Sequence, residues 1–262
     1  MCLIVPTSVF GRQATGPLCL ADLPTDIFSS DMVVVHMQVN VSGKKTWHRV
    51  QWYWRHFLTG LMLIFLPLAP AGATPVIMVL GDSLVAGHGL PQGQAFPDIL
   101  TNKLATDGID VTMINAGVSG DTTAGGLARL DWSLAENPDG AIIVLGGNDL
   151  LRGLDPQASY ENLNAIINRL KDRNVKILLA GMQAPRNLGA DYAAEFDRIY
   201  PALAAKHDIL LYPFFLDGVA LMVDLNQPDG MHPNQAGVDV IAQKIMPLVK
   251  QLLDQLDGQA NR

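Results

Sequence analysis

Ser83 stands in Gly81-Asp82-Ser83-Leu84, directly after the apolar run Val76 to Leu80. A serine held on a sharp turn at a strand end can expose its Oγ as a nucleophile, provided a base takes its proton. Residues 74–262 hold three histidines, His88, His207 and His232. His232 follows Asp229 by three residues in Asp229-Gly230-Met231-His232-Pro233. That spacing lets the carboxylate fold back onto the imidazole Nδ1 and leaves Nε2 to face the serine. Acyl transfer also needs donors for the oxyanion. Gly117 can bring its N–H close because it has no Cβ, and Asn148 in Gly146-Gly147-Asn148-Asp149 carries a side-chain NH2. Plainer roles exist for each: Ser83 as a helix N-cap, Asp229 as a turn former, Gly117 as a packing glycine, Asn148 as an amide tying two loops. Asp82 and Asp149 read as buried structural carboxylates, and His88 as a surface or helix-face histidine.

These residues can cooperate only if the chain brings them to one edge. Short apolar runs at Val76–Leu80, Val111–Ile114, Ala141–Leu145, Val175–Ala180 and Ile209–Tyr212 alternate with helical patterns. The latter cover Pro97–Thr106, Thr122–Ala135, Tyr160–Arg173, Tyr192–Lys206 and Asn234–Leu256. Nearly continuous apolar strands are buried on both faces, which predicts a parallel sheet between helical layers. The expected fold is a three-layer α/β/α sandwich on a mostly parallel five-stranded sheet. Sites in such sheets lie at the carboxyl ends of the strands. There the first three runs end in Gly81-Asp82-Ser83, Asn115-Ala116-Gly117 and Gly146-Gly147-Asn148-Asp149. Phe214-Phe215-Leu216 and Leu221-Met222-Val223 read either as core or as a wall of an acyl site.

Composition removes several alternatives. The 262 residues carry 18 Lys and Arg against 25 Asp and Glu, a net charge of −7, which disfavours nucleic acid. Two cysteines cannot build a disulfide framework or a cysteine-rich zinc site. Asp229, His232 and Asp239 lack a metal-ligand spacing, and Gly87-x-Gly89 matches neither phosphate-loop pattern. No metal and no nucleotide is expected.

The amino-terminal region reads as separate from this domain. Residues 1–43 are expected to be a disordered extension or to precede the true start, with Met32 and Met37 as alternatives. Residues 44–73 have the form of a signal peptide: Lys44, Lys45, Arg49 and Arg55, then an apolar run from Phe57 to Leu68, then Ala71-Gly72-Ala73. The run is shorter than the roughly 18–20 residues of a membrane-spanning helix. Cleavage after Ala73 would leave residues 74–262 as one periplasmic or secreted domain, free of cysteine and without a permanent membrane span.

Gly81-Asp82-Ser83-Leu84, Gly117, Gly146-x-Asn148-Asp149 and Asp229-x-x-His232 resemble, in order, the four sequence blocks of the SGNH (GDSL) hydrolases. Asn115 to Thr123 and Leu145 to Gly153 are similar to the bacterial arylesterase and multifunctional thioesterase/lysophospholipase branch. The resemblance spans about Val76 to Pro247. It implies Ser83 as nucleophile, His232 as base and then acid, and Asp229 as its orienter. It also implies an oxyanion hole from the N–H groups of Ser83 and Gly117 and the Asn148 amide, and an acyl groove flanked by Leu150, Leu151, Arg152, Gly153 and Leu154. The implied substrates are aryl or short and medium acyl esters, with lysophospholipids or acyl-CoA thioesters as the alternative, and no cofactor. Val85 and His88 depart from the branch, which often carries Ser or Thr and an aromatic at these positions, and so bear on substrate preference. A non-catalytic lipid- or glycan-binding module of the same fold would have no need of the intact Ser83, His232, Gly117 and Asn148.

Overall fold

The computed structural model describes residues 74–260. The expected extension (1–43) and signal peptide (44–73) lie outside these residues. Five strands form one sheet in the order β2-β1-β3-β4-β5, and every pairing is parallel. They are β1 (Val76–Gly81), β2 (Thr112–Gly117), β3 (Gly140–Val144), β4 (Lys176–Ala180) and β5 (Leu210–Tyr212). β3 is the middle strand, flanked by β1 and β4, and Ile77 to Leu80 and Ala141 to Val144 are wholly buried. β2 extends past its apolar run through Asn115-Ala116-Gly117, whose backbone continues the ladder opposite Val79, Leu80 and Gly81. Ladder pairing outweighs the polarity of Asn115, which faces out at an edge.

The crossovers set the layers. β1 leads to β2 through α2 (Phe96–Thr106) in one direction, and the later crossovers run the other way. Right-handed connections therefore place α2 on one face and the intermediate helices on the other. α9 (Gln235–Ala260) packs beside α2, while α6 (Pro156–Asp172) packs with α3 (Thr123–Ala128) and α8 (Ile199–His207). The strand order reverses between β1 and β3, the point where such sheets open a crevice. α1 (Ser83–Ala86) leaves β1 there, and α5 (Gly147–Leu151) leaves β3.

Two long helical patterns are interrupted for local reasons. The pattern at 122–135 divides at Arg129 into α3 and α4 (Leu130–Ser133), followed by a 3-10 turn at Leu134–Glu136. The pattern at 192–206 divides at Arg198 into α7 (Ala190–Asp197) and α8. Pro201 lacks the N–H that would bond to Asp197, and its ring crowds that carbonyl, so a helix cannot run through. α6 gains a turn over its pattern because Asp155 caps it, accepting from Gln157 N at 3.0 Å, with Pro156 as first residue.

Candidate active site

β1 delivers Ser83 through a capped turn. Asp82 Oδ1 accepts from Leu84 N at 3.0 Å, and Asp82 O accepts from Val85 and Ala86 N, so α1 starts on Ser83 itself. The N-cap is thus Asp82, and Ser83 is the first helical residue, one whose N–H has no partner inside the helix. Asp82 is almost wholly buried, and this burial pushes its carboxyl up to about 6 against the lowering effect of its hydrogen bonds to Leu84 and Asn148.

His232 arrives on a loop far along the chain. Asn226 and Pro233 form an antiparallel bridge, Gln227 N donates to His232 O at 2.7 Å, and Gly230 N donates to Gln227 O at 2.9 Å. Inside this loop Asp229 Oδ1 accepts from Met231 N (2.9 Å) and His232 N (3.0 Å). Asp229 Oδ2 lies 2.7 Å from His232 Nδ1. The two backbone N–H groups, with the ring, hold the Asp229 carboxyl well below the usual carboxylate range. An ionised carboxylate only accepts, so His232 Nδ1 carries the hydrogen and Nε2 is left as an acceptor. Nε2 lies 2.9 Å from Ser83 Oγ, the distance of a hydroxyl donating to the ring. Residues 149 positions apart thus meet in one hydrogen-bonded chain from carboxylate to hydroxyl.

Gln227 fastens the two loops together. Its Nε2 donates to His88 O at 2.7 Å and to Pro233 O at 3.0 Å. His88 is exposed, and its ring sits 4.6 Å from that of His232, tilted by 43°. The sequence reading gave His88 a surface position but not this contact.

The three expected oxyanion donors sit at the ends of β2, β1 and β3, on three neighbouring strands. Gly117 pairs with Gly81 in the ladder and packs on the backbone of α1. A Cβ there would come within 2.3 Å of Ala86 N, so only glycine allows the approach. Its N–H donates to Asn115 Oδ1 at 3.0 Å. Asn148 follows Gly146, which turns at φ +116 beneath the hydroxyl of Tyr200. Asn148 Nδ2 donates to Asp121 O at 2.9 Å and to Asp82 Oδ2 at 3.2 Å. Both donors are therefore held by internal acceptors, and an oxyanion would share or take over these bonds.

The segment expected to flank an acyl groove is divided. Leu150 belongs to the core, whereas Leu151 and Leu154 are exposed. Arg152 Nη2 donates to Gly120 O at 2.7 Å, and Gly153 turns at φ +60. Phe215 is core, edge-on to Phe96, but Leu221, Met222 and Val223 project into solvent beside the Asp229–His232 loop. Asp149 is buried and accepts from Thr123 N (2.9 Å), Thr123 Oγ1 (2.6 Å) and Ser159 Oγ (3.0 Å), the structural role expected of it. Asp239 pairs with Lys103 at 2.8 Å. Among the described residues no cluster of three or more His, Cys, Asp or Glu side chains is arranged to hold a metal ion.

Sequence reasoning missed Arg129, Asp121, Asn115 and Gln227. Each acts by bonding backbone or another side chain of a site loop, and no spacing to Ser83 or His232 marks them out.

The GDSL-like lipase/acylhydrolase family model matches residues 79–240. Esterase TesA of Pseudomonas aeruginosa is 39% identical over 197 residues, covering 75% of this chain and 98% of the relative. Thioesterase 1/protease 1/lysophospholipase L1 of Escherichia coli K12 is 38% identical over 200 residues, covering 74% and 94%. The crystal structure of AlinE4, an SGNH-hydrolase family esterase, matches with a TM-score of 0.59 at 49% identity, covering 70% of this chain and 98% of that one.

Proposed function

The chain belongs to the GDSL-like lipase/acylhydrolase family and hydrolyses carboxylic esters, and we propose that it does so through an acyl-enzyme on Ser83. The observation that carries this reading is the contact of Ser83 Oγ with His232 Nε2 at 2.9 Å, with Asp229 behind the ring at 2.7 Å. Ser83 Oγ attacks the carbonyl carbon, and its proton passes to His232 Nε2. The charge on the carbonyl oxygen is met by the N–H groups of Ser83 and Gly117 and by Asn148. The tetrahedral adduct collapses, the bond to the leaving oxygen breaks, and the imidazolium returns its proton to that oxygen. Water, deprotonated by His232, then attacks the acyl-serine and releases the acid with Ser83 restored. Asp229 stabilises the imidazolium in both halves.

Aryl and short or medium acyl esters are the proposed substrates. Hydrolysis of lysophospholipids or acyl-CoA thioesters is the second reading, favoured by exposed Leu151, Leu221, Met222, Val223 and Met231. The E. coli relative's name includes thioesterase and lysophospholipase. We further propose that residues 44–73 are a signal peptide, preceded by the extension at 1–43, ahead of a periplasmic or secreted enzyme. Among the described residues no helix is long and apolar enough to cross a membrane. The full chain and its Ser83→Ala variant, assayed on nitrophenyl esters of increasing length, an acyl-CoA and a lysophospholipid, test this. Activity lost in Ser83→Ala is expected, with the chain-length optimum separating the two substrate readings; undiminished turnover in Ser83→Ala removes Ser83 from the mechanism.

A further inference from the structure

We infer that Arg129 is a positioning residue for the oxyanion site: it holds two of the three donors through backbone and aims them at the developing charge. The inference rests on the reading of Gly117 and Asn148 as those donors. Arg129 sits at the joint between α3 and α4, and its side chain, 17% exposed, reaches back beneath the strand ends. Its Nη2 donates to Gly81 O at 2.9 Å and to Ala116 O at 2.8 Å. Nε pairs with Asp121 Oδ2, and Nη1 donates to Ser133 Oγ at 3.2 Å. Four of the five guanidinium hydrogens are therefore committed, and three of those bonds go to the loops that carry the site.

Ala116 C=O and Gly117 N–H belong to one peptide unit, and in a trans peptide they point in opposite directions. A guanidinium on the oxygen therefore fixes the plane so that the N–H faces away from Arg129, and a charged donor there polarises the unit and strengthens that N–H. Gly81 O belongs to the peptide that ends in Asp82 N–H, one unit before the Ser83 N–H, so the bond to it anchors the end of β1. Asp121 carries the effect to the second donor: its carboxylate is held by Arg129, and its carbonyl accepts from Asn148 Nδ2 at 2.9 Å. One planar fork thus ties the ends of β1 and β2 to the loop that holds the Asn148 amide. Lysine, a point charge with no fork, cannot make the same set of bonds.

The test uses the full chain with Arg129→Lys and Arg129→Gly. Measurements are kcat and KM on a nitrophenyl ester, the affinity of phenylboronic acid as a tetrahedral mimic, and the thermal midpoint. Loss of donor alignment is expected to lower kcat by about 10- to 100-fold in both variants, somewhat less than the removal of a whole donor. KM should stay within about threefold, because the interaction is made in the transition state. Boronate affinity should fall in step with kcat/KM, and added guanidinium should restore part of the kcat of Arg129→Gly. Wild-type kcat and boronate affinity in Arg129→Lys would overturn the inference, as would a loss fully accounted for by the unfolded fraction. Should neither variant fold, Asp121→Asn replaces them: it must lower kcat and boronate affinity together, and unchanged values overturn the inference. Ser83→Ala, run alongside, separates the two levels: if it retains activity, the serine reading fails whatever Arg129 does.

Discussion

The buried carboxylate of Asp82 gives the account a quantitative consequence. Asp82 is about 1% exposed, yet it must carry charge at neutral pH beside the nucleophile. Burial lifts its carboxyl from 3.8 to about 6, so folding disfavours the ionised form. The sign follows from proton linkage: the native state binds the Asp82 proton more tightly than the unfolded chain, so this residue's contribution to stability falls as pH rises from about 4 through about 6. A difference of about two pKa units is worth about 3 kcal/mol when fully expressed, and about 2–3 kcal/mol between pH 4 and pH 7. Asp82→Asn removes the titration while keeping an N-cap oxygen for Leu84 N. It also exchanges the carboxylate that faces Asn148 Nδ2 for an amide, a penalty that does not depend on pH. Urea unfolding of both proteins at pH 4, 5, 6, 7 and 8 brings out the titrating part, because groups not coupled to Asp82 cancel in the difference. The variant should gain on the wild type by about 2–3 kcal/mol from pH 4 to pH 7 and show no further gain at pH 8. A difference that stays constant over this range, or that moves the other way, refutes the assignment of a buried carboxylate raised by desolvation.

Other perturbations test other joints of the structure. Asn148→Ala should keep the fold and lower kcat by about 10²–10³, read by steady-state kinetics and circular dichroism; unchanged turnover removes the amide from the oxyanion site. Asp229→Asn should leave His232 without its carboxylate and lower kcat by as much as about 10⁴. Because the Asp229 carboxyl is depressed in the folded chain, its stabilising contribution is present above about pH 4 and is lost as pH falls. Acid unfolding should therefore be less steep in Asp229→Asn than in the wild type. Gly146→Ala places a Cβ 2.1 Å from Tyr200 Oη at φ +116, and should cost at least about 1–3 kcal/mol from backbone strain alone, measured by urea unfolding. Tyr200→Phe deletes the donor to Leu145 O, a 2.8 Å bond in the core, and should cost about 1–3 kcal/mol by the same measurement.

The sheet is readable because β1 and β3 are short unbroken apolar runs whose near-continuous burial leaves no alternation to confuse, whereas the outer strands β2 and β5 are only partly buried. The carboxyl-terminal half of β2 was not readable, since Asn115 looks like a stop until Val79 to Gly81 pair with it. α1 and α5 escaped notice because helices of four and five residues hold too few turns for a periodicity, although they start on or next to the reacting groups. The Asp229–His232 pair could be seen locally, as a carboxylate and a ring three residues apart. The contact between Ser83 and His232 bridges 149 positions and follows only once the strand order brings both loops to the same edge. Arg129 is the sharpest case. On a helical pattern a lone arginine reads as a solvated face, and nothing in its neighbours says that it turns inward to collect Gly81 O and Ala116 O. Residues that act by holding backbone leave no side-chain pattern of their own.

Covalent capture of the nucleophile bears most directly on the central contact. Treatment of the active full chain with a fluorophosphonate, followed by peptide mapping, should place a single adduct on Ser83. The adduct should be absent in Ser83→Ala and form far more slowly in His232→Ala. An adduct on another residue, or a protein that hydrolyses esters at full rate with Ser83 unlabelled, would contradict the account.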